Sequence, residues 1–213
     1  MKRKYLIVLC CMFLVLFSSA VYASEPGPYL SVQGGVTFLD DITFSGPGTG
    51  GVDVNVESNT GFGILGAVGY DFGMYRLEGE LGYRKNDYDT MTNPTGSAAA
   101  EGDQTVWSFM VNGIVDIEND TPFTPYFLLG LGWASLDVNE IKAAGDPTAS
   151  NYDDSTFAYQ FGVGVGYAVT ESVTLDLSYR YFATSDPSYD DPAGAVDGEY
   201  STHNIFFGAR FAF

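Results

Sequence analysis

The sequence predicts an all-β fold, an eight-stranded antiparallel up-and-down transmembrane β-barrel. Three observations predict it. Eight segments alternate large apolar residues with small or polar ones. The connections between these segments are short and long in strict alternation. The chain ends on Phe213, inside the last alternating segment. A period of two indicates a strand with two different faces. Strands that follow one another through turns and loops are typical of a closed meander.

The N-terminus has the anatomy of a secretory signal peptide. Three basic residues at positions 2–4 precede an uncharged apolar stretch, 5–17, and small residues follow up to Ala23. Such a stretch is too short to cross a bilayer as a helix. We therefore expect cleavage after Ala23, with residues 1–23 as the signal peptide and 24–213 as the barrel domain.

The chain is strongly acidic, with a formal net charge of −18. Signal cleavage would remove three bases and no acid, so the exported domain would be more acidic still. Nucleic acid is a poor partner for such a chain, because binding to phosphates requires a basic surface. Both cysteines, Cys10 and Cys11, lie in the predicted signal, so we expect no disulfide and no cysteine metal site.

Each alternating segment has one face of large, almost uncharged residues. The predicted strands are 29–38, 60–72, 75–84, 105–117, 125–135, 156–169, 173–182 and 203–213. The apolar faces of the first four strands are formed by Leu30, Val32, Val36 and Phe38; Phe62, Ile64, Val68, Tyr70 and Phe72; Tyr75, Leu77, Leu81 and Tyr83; and Trp107, Phe109, Val111, Val115 and Ile117. Those of the last four are formed by Phe127, Leu129, Leu131 and Trp133; Phe157, Tyr159, Phe161, Val163, Val165 and Tyr167; Val173, Leu175, Leu177, Tyr179 and Tyr181; and Ile205, Phe207, Ala209 and Phe211.

The connections predict which end of the barrel faces outwards. Short connections lie at 71–74, 118–124 and 170–172, and long polar ones lie at 39–59, 85–104, 136–155 and 183–199. Turns at the periplasmic rim and long loops on the outer side are typical of outer-membrane barrels. The long segments are rich in Gly, Pro, Asp, Ser and Thr, which favours loops.

Alternation alone leaves open which face points inwards, since a soluble lipocalin-like barrel would bury the aromatic face. The second face is mostly Gly, Ala and Ser, which are small for a solvated exterior and suit a narrow lumen. The aromatic face is nearly free of charge, as contact with lipid requires. We expect aromatic girdles at the two membrane interfaces, formed by Tyr29, Tyr70, Tyr75, Trp107, Trp133, Tyr167 and Tyr179.

The charged residues of the strands fall on the lumen face. They are Arg76, Glu78, Glu80, Arg84, Asp116, Asp176, Arg180 and Arg210. An arginine in a narrow lumen needs a carboxylate partner, because an unpaired buried ion is costly. Three interpretations stay open: a structural ion-pair network that fills the barrel, a gate whose pairs exchange to open an ion path, and a catalytic carboxylate pair.

Several segments resemble the opacity-type, porin-family outer-membrane β-barrel domain and OmpA-like eight-stranded barrels. They are the Gly-alternating 156–167, the following 173–182, Thr124-Pro125-Tyr126, Asn112, and the terminal 208–213. The resemblance covers nearly the whole exported chain. It implies location in the bacterial outer membrane and recognition of a C-terminal signal, Phe207, Phe211 and Phe213, by the barrel-assembly machinery. Its members include adhesins, surface antigens and integrity proteins.

Eight strands enclose an interior that side chains fill, so a general diffusion pore is not expected. We expect a structural or surface-interaction role carried by four long acidic external loops, with a narrow or gated channel as the alternative and a lipid-modifying enzyme third. Partners would be outer-membrane lipid and lipopolysaccharide. The loop acids, densest at 186–192, are interpreted as surface solubility or as a site for divalent cations or a basic partner.

The sequence gives no catalytic, cofactor or metal signature. Its sole histidine, His203, falls on the outward face of the last strand, and no Ser or carboxylate pattern points to it. The glycine-rich 46–51 lacks the lysine and the helix that a phosphate loop needs. We therefore expect no enzyme activity, no cofactor and no metal site.

Overall fold

The computed structural model describes residues 26–40, 42–44, 54–93, 96–143, 150–185, 188–191, 194–197 and 200–213. The strands of this part are β1 (Gly27–Leu39), β2 (Ile42–Phe44), β3 (Val54–Ser58), β4 (Gly61–Asp71), β5 (Tyr75–Asn93), β6 (Gly96–Asp116), β7 (Phe123–Ala143), β8 (Ser150–Ala168), β9 (Val173–Thr184), β10 (Ser188–Asp191), β11 (Gly194–Asp197) and β12 (Ser201–Ala212). Across these residues, no helix has the length and apolar character needed to cross a membrane.

Eight strands form the closed barrel: β1, β4, β5, β6, β7, β8, β9 and β12. Each pairs antiparallel with the next, and β1 pairs with β12 to close the seam. Following the register once around the barrel from Tyr29 leads through Gly69, Glu78, Asn112, Gly130, Gln160, Phe182 and Thr202 to Leu39, ten residues beyond the start on β1. This stagger tilts the strands against the barrel axis. The predicted fold class is confirmed.

The two faces of every barrel strand differ sharply in exposure. Leu129 is 71% exposed, whereas its neighbour Leu128 is 2% exposed. The large apolar residues predicted to contact lipid lie on the outer face of all eight strands, and the eight charged residues predicted to line the lumen are buried inside. This arrangement is the reverse of a soluble barrel, since the exterior here is hydrophobic.

The prediction that Tyr29 belongs to an aromatic girdle is wrong, because this residue lies in the lumen. Tyr29 is only 3% exposed, and its hydroxyl donates to Glu78 Oε2 at 3.1 Å inside the barrel. Its position has the same parity as Ser31 and Gln33, so the alternation itself assigns it to the lumen. The other predicted girdle residues lie on the outer surface, where Tyr167 is half-buried and the rest are exposed.

The short connections form tight turns at one rim, which we call the periplasmic rim. The turn between β4 and β5 is made by Phe72, Gly73 and Met74, and Gly73 has a φ of 98°. Glycine enters this region without the steric penalty that a Cβ brings. Asp71 Oδ1 accepts a hydrogen bond from the Gly73 amide at 2.8 Å, which fixes the turn.

At the opposite, extracellular rim the prediction of four long loops is wrong in part, because strands continue into two of the predicted loops. Strands β5 and β6 continue to Asn93 and from Gly96, so most of the predicted loop 85–104 is a β-hairpin. Strands β7 and β8 likewise extend into 136–155, β3 adds to the edge of β5, and β10 pairs with β11. Above the membrane the outward face loses its apolar residues, so the period of two disappears from the sequence while backbone pairing continues.

Candidate functional site: the lumen and its extracellular rim

Glycines in the barrel wall make room for large side chains in the lumen. A Cβ on Gly164 would lie 2.3 Å from Cζ of Tyr126, and one on Gly69 would lie 2.4 Å from Cζ of Tyr29. Aromatic rings therefore cover glycines of neighbouring strands, an arrangement that stabilises register. The lumen is lined by glycine and filled by long residues from other strands.

The periplasmic half of the lumen contains two arginines with carboxylate partners. Arg76 makes a bidentate pair with Asp116, donating from Nε at 2.7 Å and from Nη2 at 2.8 Å. Arg210 contacts two carboxylates at longer range, Asp71 at 3.8 Å and Asp176 at 3.7 Å. Asp71 was not among the predicted lumen charges, although its parity in the second strand placed it on that face.

The middle of the lumen is a connected polar network around Glu80. Arg180 Nη1 donates to Glu80 Oε2 at 2.5 Å, and its Nη2 donates to Gln33 Oε1 at 3.0 Å. Asn112 Nδ2 lies between the two glutamates, 3.0 Å from Glu78 Oε1 and 3.1 Å from Glu80 Oε2. All of these side chains are buried. Buried charges are stable here because each carboxylate also accepts hydrogen bonds from amide groups or hydroxyls.

Arg84 departs from the expectation that every lumen arginine has a carboxylate. It is fully buried, and its Nη1 donates to Ser108 Oγ at 3.0 Å, but its Nε and Nη2 have no acceptor. Its guanidinium carbon lies 4.0 Å from the ring centroid of Phe182 and 5.9 Å from that of Phe206. The charge is therefore held against aromatic faces, a cation–π arrangement.

Above Arg84 the lumen is filled by apolar side chains, which the sequence analysis did not predict. The buried cluster consists of Leu39, Tyr88, Val106, Met110, Ala134, Leu136, Val138, Ala158, Phe182 and Tyr200. Several of these residues lie in segments that the sequence analysis assigned to loops. The expectation that the inner face is mostly Gly, Ala and Ser is thus wrong for the extracellular half.

His203 lies on the outer surface at the extracellular rim, as predicted, but it is not isolated. Its Nδ1 is 2.5 Å from the hydroxyl oxygen of Tyr179, and its Nε2 is 3.5 Å from Asp40 Oδ1. Ser201 Oγ donates to Asp40 Oδ2 at 2.5 Å. The interpretation that no Ser or carboxylate pattern points to His203 is therefore wrong for the carboxylate, since Asp40 faces the imidazole. Asp40 comes from the far end of the chain, across the β1–β12 seam.

The predicted assembly residues lie at the periplasmic end of β12 or on its outer face. Phe207 and Phe211 point outwards, and Phe213 is 81% exposed. The backbone amide of Phe213 donates to the Pro28 carbonyl at 3.0 Å, so the chain end pairs with the start of β1.

Comparison with known proteins agrees with this architecture. The family model for the outer membrane protein beta-barrel domain matches residues 8–213. The chain belongs to this family. Outer membrane protein PagN of Salmonella typhimurium is 26% identical over an alignment of 249 positions, which covers 99% of this chain and 100% of PagN. The family and its relatives locate the protein in the bacterial outer membrane as an integral β-barrel.

Two further similarities extend the comparison. Major surface antigen 4 of Anaplasma marginale is 27% identical over 181 residues, covering 70% of this chain and 60% of the antigen. The crystal structure of outer membrane protein OprG from Pseudomonas aeruginosa superposes with a TM-score of 0.60 at 15% identity, covering 91% of this chain and 100% of OprG. At that identity the likeness to OprG shows the fold.

Proposed function

We propose that this member of the family is a surface-interaction protein whose barrel is a closed scaffold. The binding function belongs to the strand extensions and connections at the extracellular rim. The observation that carries the proposal is the filled lumen, because an ionic network and an apolar cluster occupy successive levels of it. The name of a relative, major surface antigen 4 of Anaplasma marginale, also supports a role at the cell surface.

The chemistry of the rim favours a positively charged partner. The described hairpin of β5 and β6 exposes Asp87, Asp89 and Glu101, and Asp103 beside them pairs with Lys85 at 3.3 Å. In a chain of net charge −18, this excess of carboxylates attracts basic proteins or divalent cations that bridge to lipopolysaccharide phosphates. Lipid contacts the apolar exterior, and the barrel-assembly machinery would recognise the segment ending at Phe213.

The test combines conductance with surface binding. Purified barrel in a planar bilayer should give no stable conductance steps. Cells that display the protein should bind a basic polypeptide such as polylysine more than cells displaying Asp87→Asn, Asp89→Asn, Glu101→Gln. Heat-modifiable mobility on gels checks that both proteins are folded. Equal binding by the two cell types would contradict the proposal, as would reproducible open-channel steps.

A gated channel is the second candidate, and the contacts of Arg210 favour it. Both of its carboxylate contacts exceed 3.5 Å, and a small cavity of about 10 Å³ lies beside it, lined in part by Tyr29 and Glu171. A loosely held pair is the one that exchanges partners most readily. Conductance steps that appear in wild type and change in Arg210→Ala would favour this function over the closed scaffold.

We propose no catalytic activity for the described lumen or rim. Glu78, Glu80 and Asp116 already accept hydrogen bonds from arginine, amide or hydroxyl donors. His203 is the residue best suited to act as a base, but the Ser201 hydroxyl donates to Asp40 and not to the imidazole. A serine nucleophile needs a hydrogen bond to its base, so the described cluster holds no activated serine.

A further inference from the structure

The His203 cluster at the extracellular rim is built from four side chains, three on β9 and β12 and one on the residue that follows β1. Asp40 follows β1, Tyr179 lies on β9, and Ser201 and His203 lie on β12. The Asp40 amide donates to the Ser201 carbonyl at 3.0 Å, so the carboxylate is carried on fixed backbone. The imidazole is 42% exposed, so solvent and small ions reach it.

The distance between His203 Nε2 and Asp40 Oδ1 fits two ligands of one metal ion better than a hydrogen bond. His203 Nε2 and Asp40 Oδ1 are 3.5 Å apart, which is beyond the usual 2.7–3.2 Å range of an N–H···O hydrogen bond. Zinc binds histidine nitrogen at about 2.0–2.1 Å and carboxylate oxygen at about 2.0–2.2 Å. Two such donors at a tetrahedral angle lie about 3.3–3.5 Å apart. The pair is therefore spaced as two ligands of one ion.

Both donors also have the outer partners that orient metal ligands. In the tautomer with hydrogen on Nδ1, His203 donates a hydrogen bond to the Tyr179 hydroxyl oxygen 2.5 Å away, and Nε2 carries the free lone pair that a metal needs. Ser201 Oγ donates to Asp40 Oδ2, which turns Oδ1 towards the histidine. Histidine ligands nearly always donate their second ring N–H to an oxygen, and ligating carboxylates are themselves hydrogen-bonded.

We propose that His203 and Asp40 form an open binding site for a divalent transition-metal ion of the zinc class. Imidazole nitrogen with a carboxylate selects zinc, copper or nickel over magnesium and calcium, which prefer all-oxygen sites. Among the residues described, no cluster brings together three His, Cys, Asp or Glu ligands. The remaining coordination positions are therefore filled by water or by oxygens of the surrounding headgroup layer.

The experiment is titration of the refolded, untagged full chain in detergent with zinc chloride, followed by calorimetry. The expected result is one zinc ion per barrel that depends on His203. Both His203→Ala and Asp40→Asn should weaken binding at least tenfold. Tyr179→Phe keeps both ligands and should weaken binding by about 10-fold or more, because it removes an orienting partner.

The matched control is Asp103→Asn, which neutralises another rim carboxylate without touching the cluster, and it should bind zinc as wild type does. Magnesium chloride at the same concentrations should give no His203-dependent heat. Undiminished zinc binding by His203→Ala would overturn the proposal and assign the ion to other acids. Loss of binding only in Asp103→Asn would overturn it as well. Heat-modifiable gel mobility shows that each variant is folded.

Discussion

The middle of the lumen and its extracellular half hold buried arginines by different means. Arg180 sits in the middle network, where Glu80 and Gln33 accept its hydrogen bonds. Arg84 lies towards the extracellular rim, where Phe182 faces its guanidinium and two of its nitrogens lack an acceptor. Both are buried, so burial alone does not tell a structural ion pair from a charge retained at a cost. The middle of the lumen is therefore polar and gives Arg180 hydrogen-bond acceptors, whereas the extracellular half is apolar and holds Arg84 with two of its nitrogens unpaired.

The largest difference between the two sites is expected when both arginines receive the same substitution. Arg180→Met would leave Glu80 buried without its main cation, and we expect a loss of about 3–5 kcal/mol in the free energy of unfolding. Arg84→Met removes a cation with unpaired donors and keeps the packing, so we expect a change near zero or a gain. Urea unfolding in detergent micelles, followed by tryptophan fluorescence, measures both. Equal losses would show that Arg84 has a partner as effective as Glu80.

The apolar half depends on Phe182, which is buried and packs beside Tyr200 at a centroid distance of 6.1 Å. Phe182→Ala should cost about 3–5 kcal/mol, because it opens a cavity and uncovers Arg84. The double variant Phe182→Ala, Arg84→Met isolates the cation–π part, since the cost of Phe182→Ala should be smaller when the cation is absent. An unchanged cost would mean that Phe182 acts through packing alone.

Much of the barrel was predictable from sequence because each membrane-spanning strand has one lipid face and one lumen face. The same parity placed Arg76, Glu80 and Arg180 inside. Tyr29 has the lumen parity too, but its aromatic side chain led to the wrong prediction of an interfacial position. Alternation also vanished above the membrane, so the extensions of β5 to β8 were interpreted as loops.

The remaining errors involve contacts between distant parts of the chain. Asp40 and His203 meet only because β1 pairs with β12, and a single sequence gives no sign of which loop residue will face the last strand. The rule for buried ions predicts a carboxylate for Arg84, whereas the fold brings the ring of Phe182 against its guanidinium. The face of the strand on which each charged residue lies was predictable. Which side chain it contacts across the lumen was not, because that depends on strand register and tilt.

Two glycines of the barrel wall allow a comparison of packing in the lumen with packing on the exterior, with smaller expected effects. Gly164→Ala points a methyl group into the Tyr126 ring, so we expect a loss of about 1–3 kcal/mol from overpacking. Gly66 faces lipid, and a Cβ there meets nothing within 4 Å. Gly66→Ala should be neutral or stabilising by up to about 1 kcal/mol. The same urea titration decides, and a loss at both positions would mean that backbone effects outweigh the contact with Tyr126.

The smallest expected effect lies outside the lumen, at the Lys85–Asp103 pair. This pair has the same kind of charges as Arg180–Glu80 and a separation of 3.3 Å, but both side chains are about a third exposed. Water solvates each charge when its partner is removed, so Lys85→Met should cost less than about 1 kcal/mol. High salt should erase even that difference, whereas it should leave the cost of Arg180→Met almost unchanged, because buried pairs are screened far less. If Lys85→Met cost as much as Arg180→Met, burial would not be the variable that separates strong from weak pairs in this barrel.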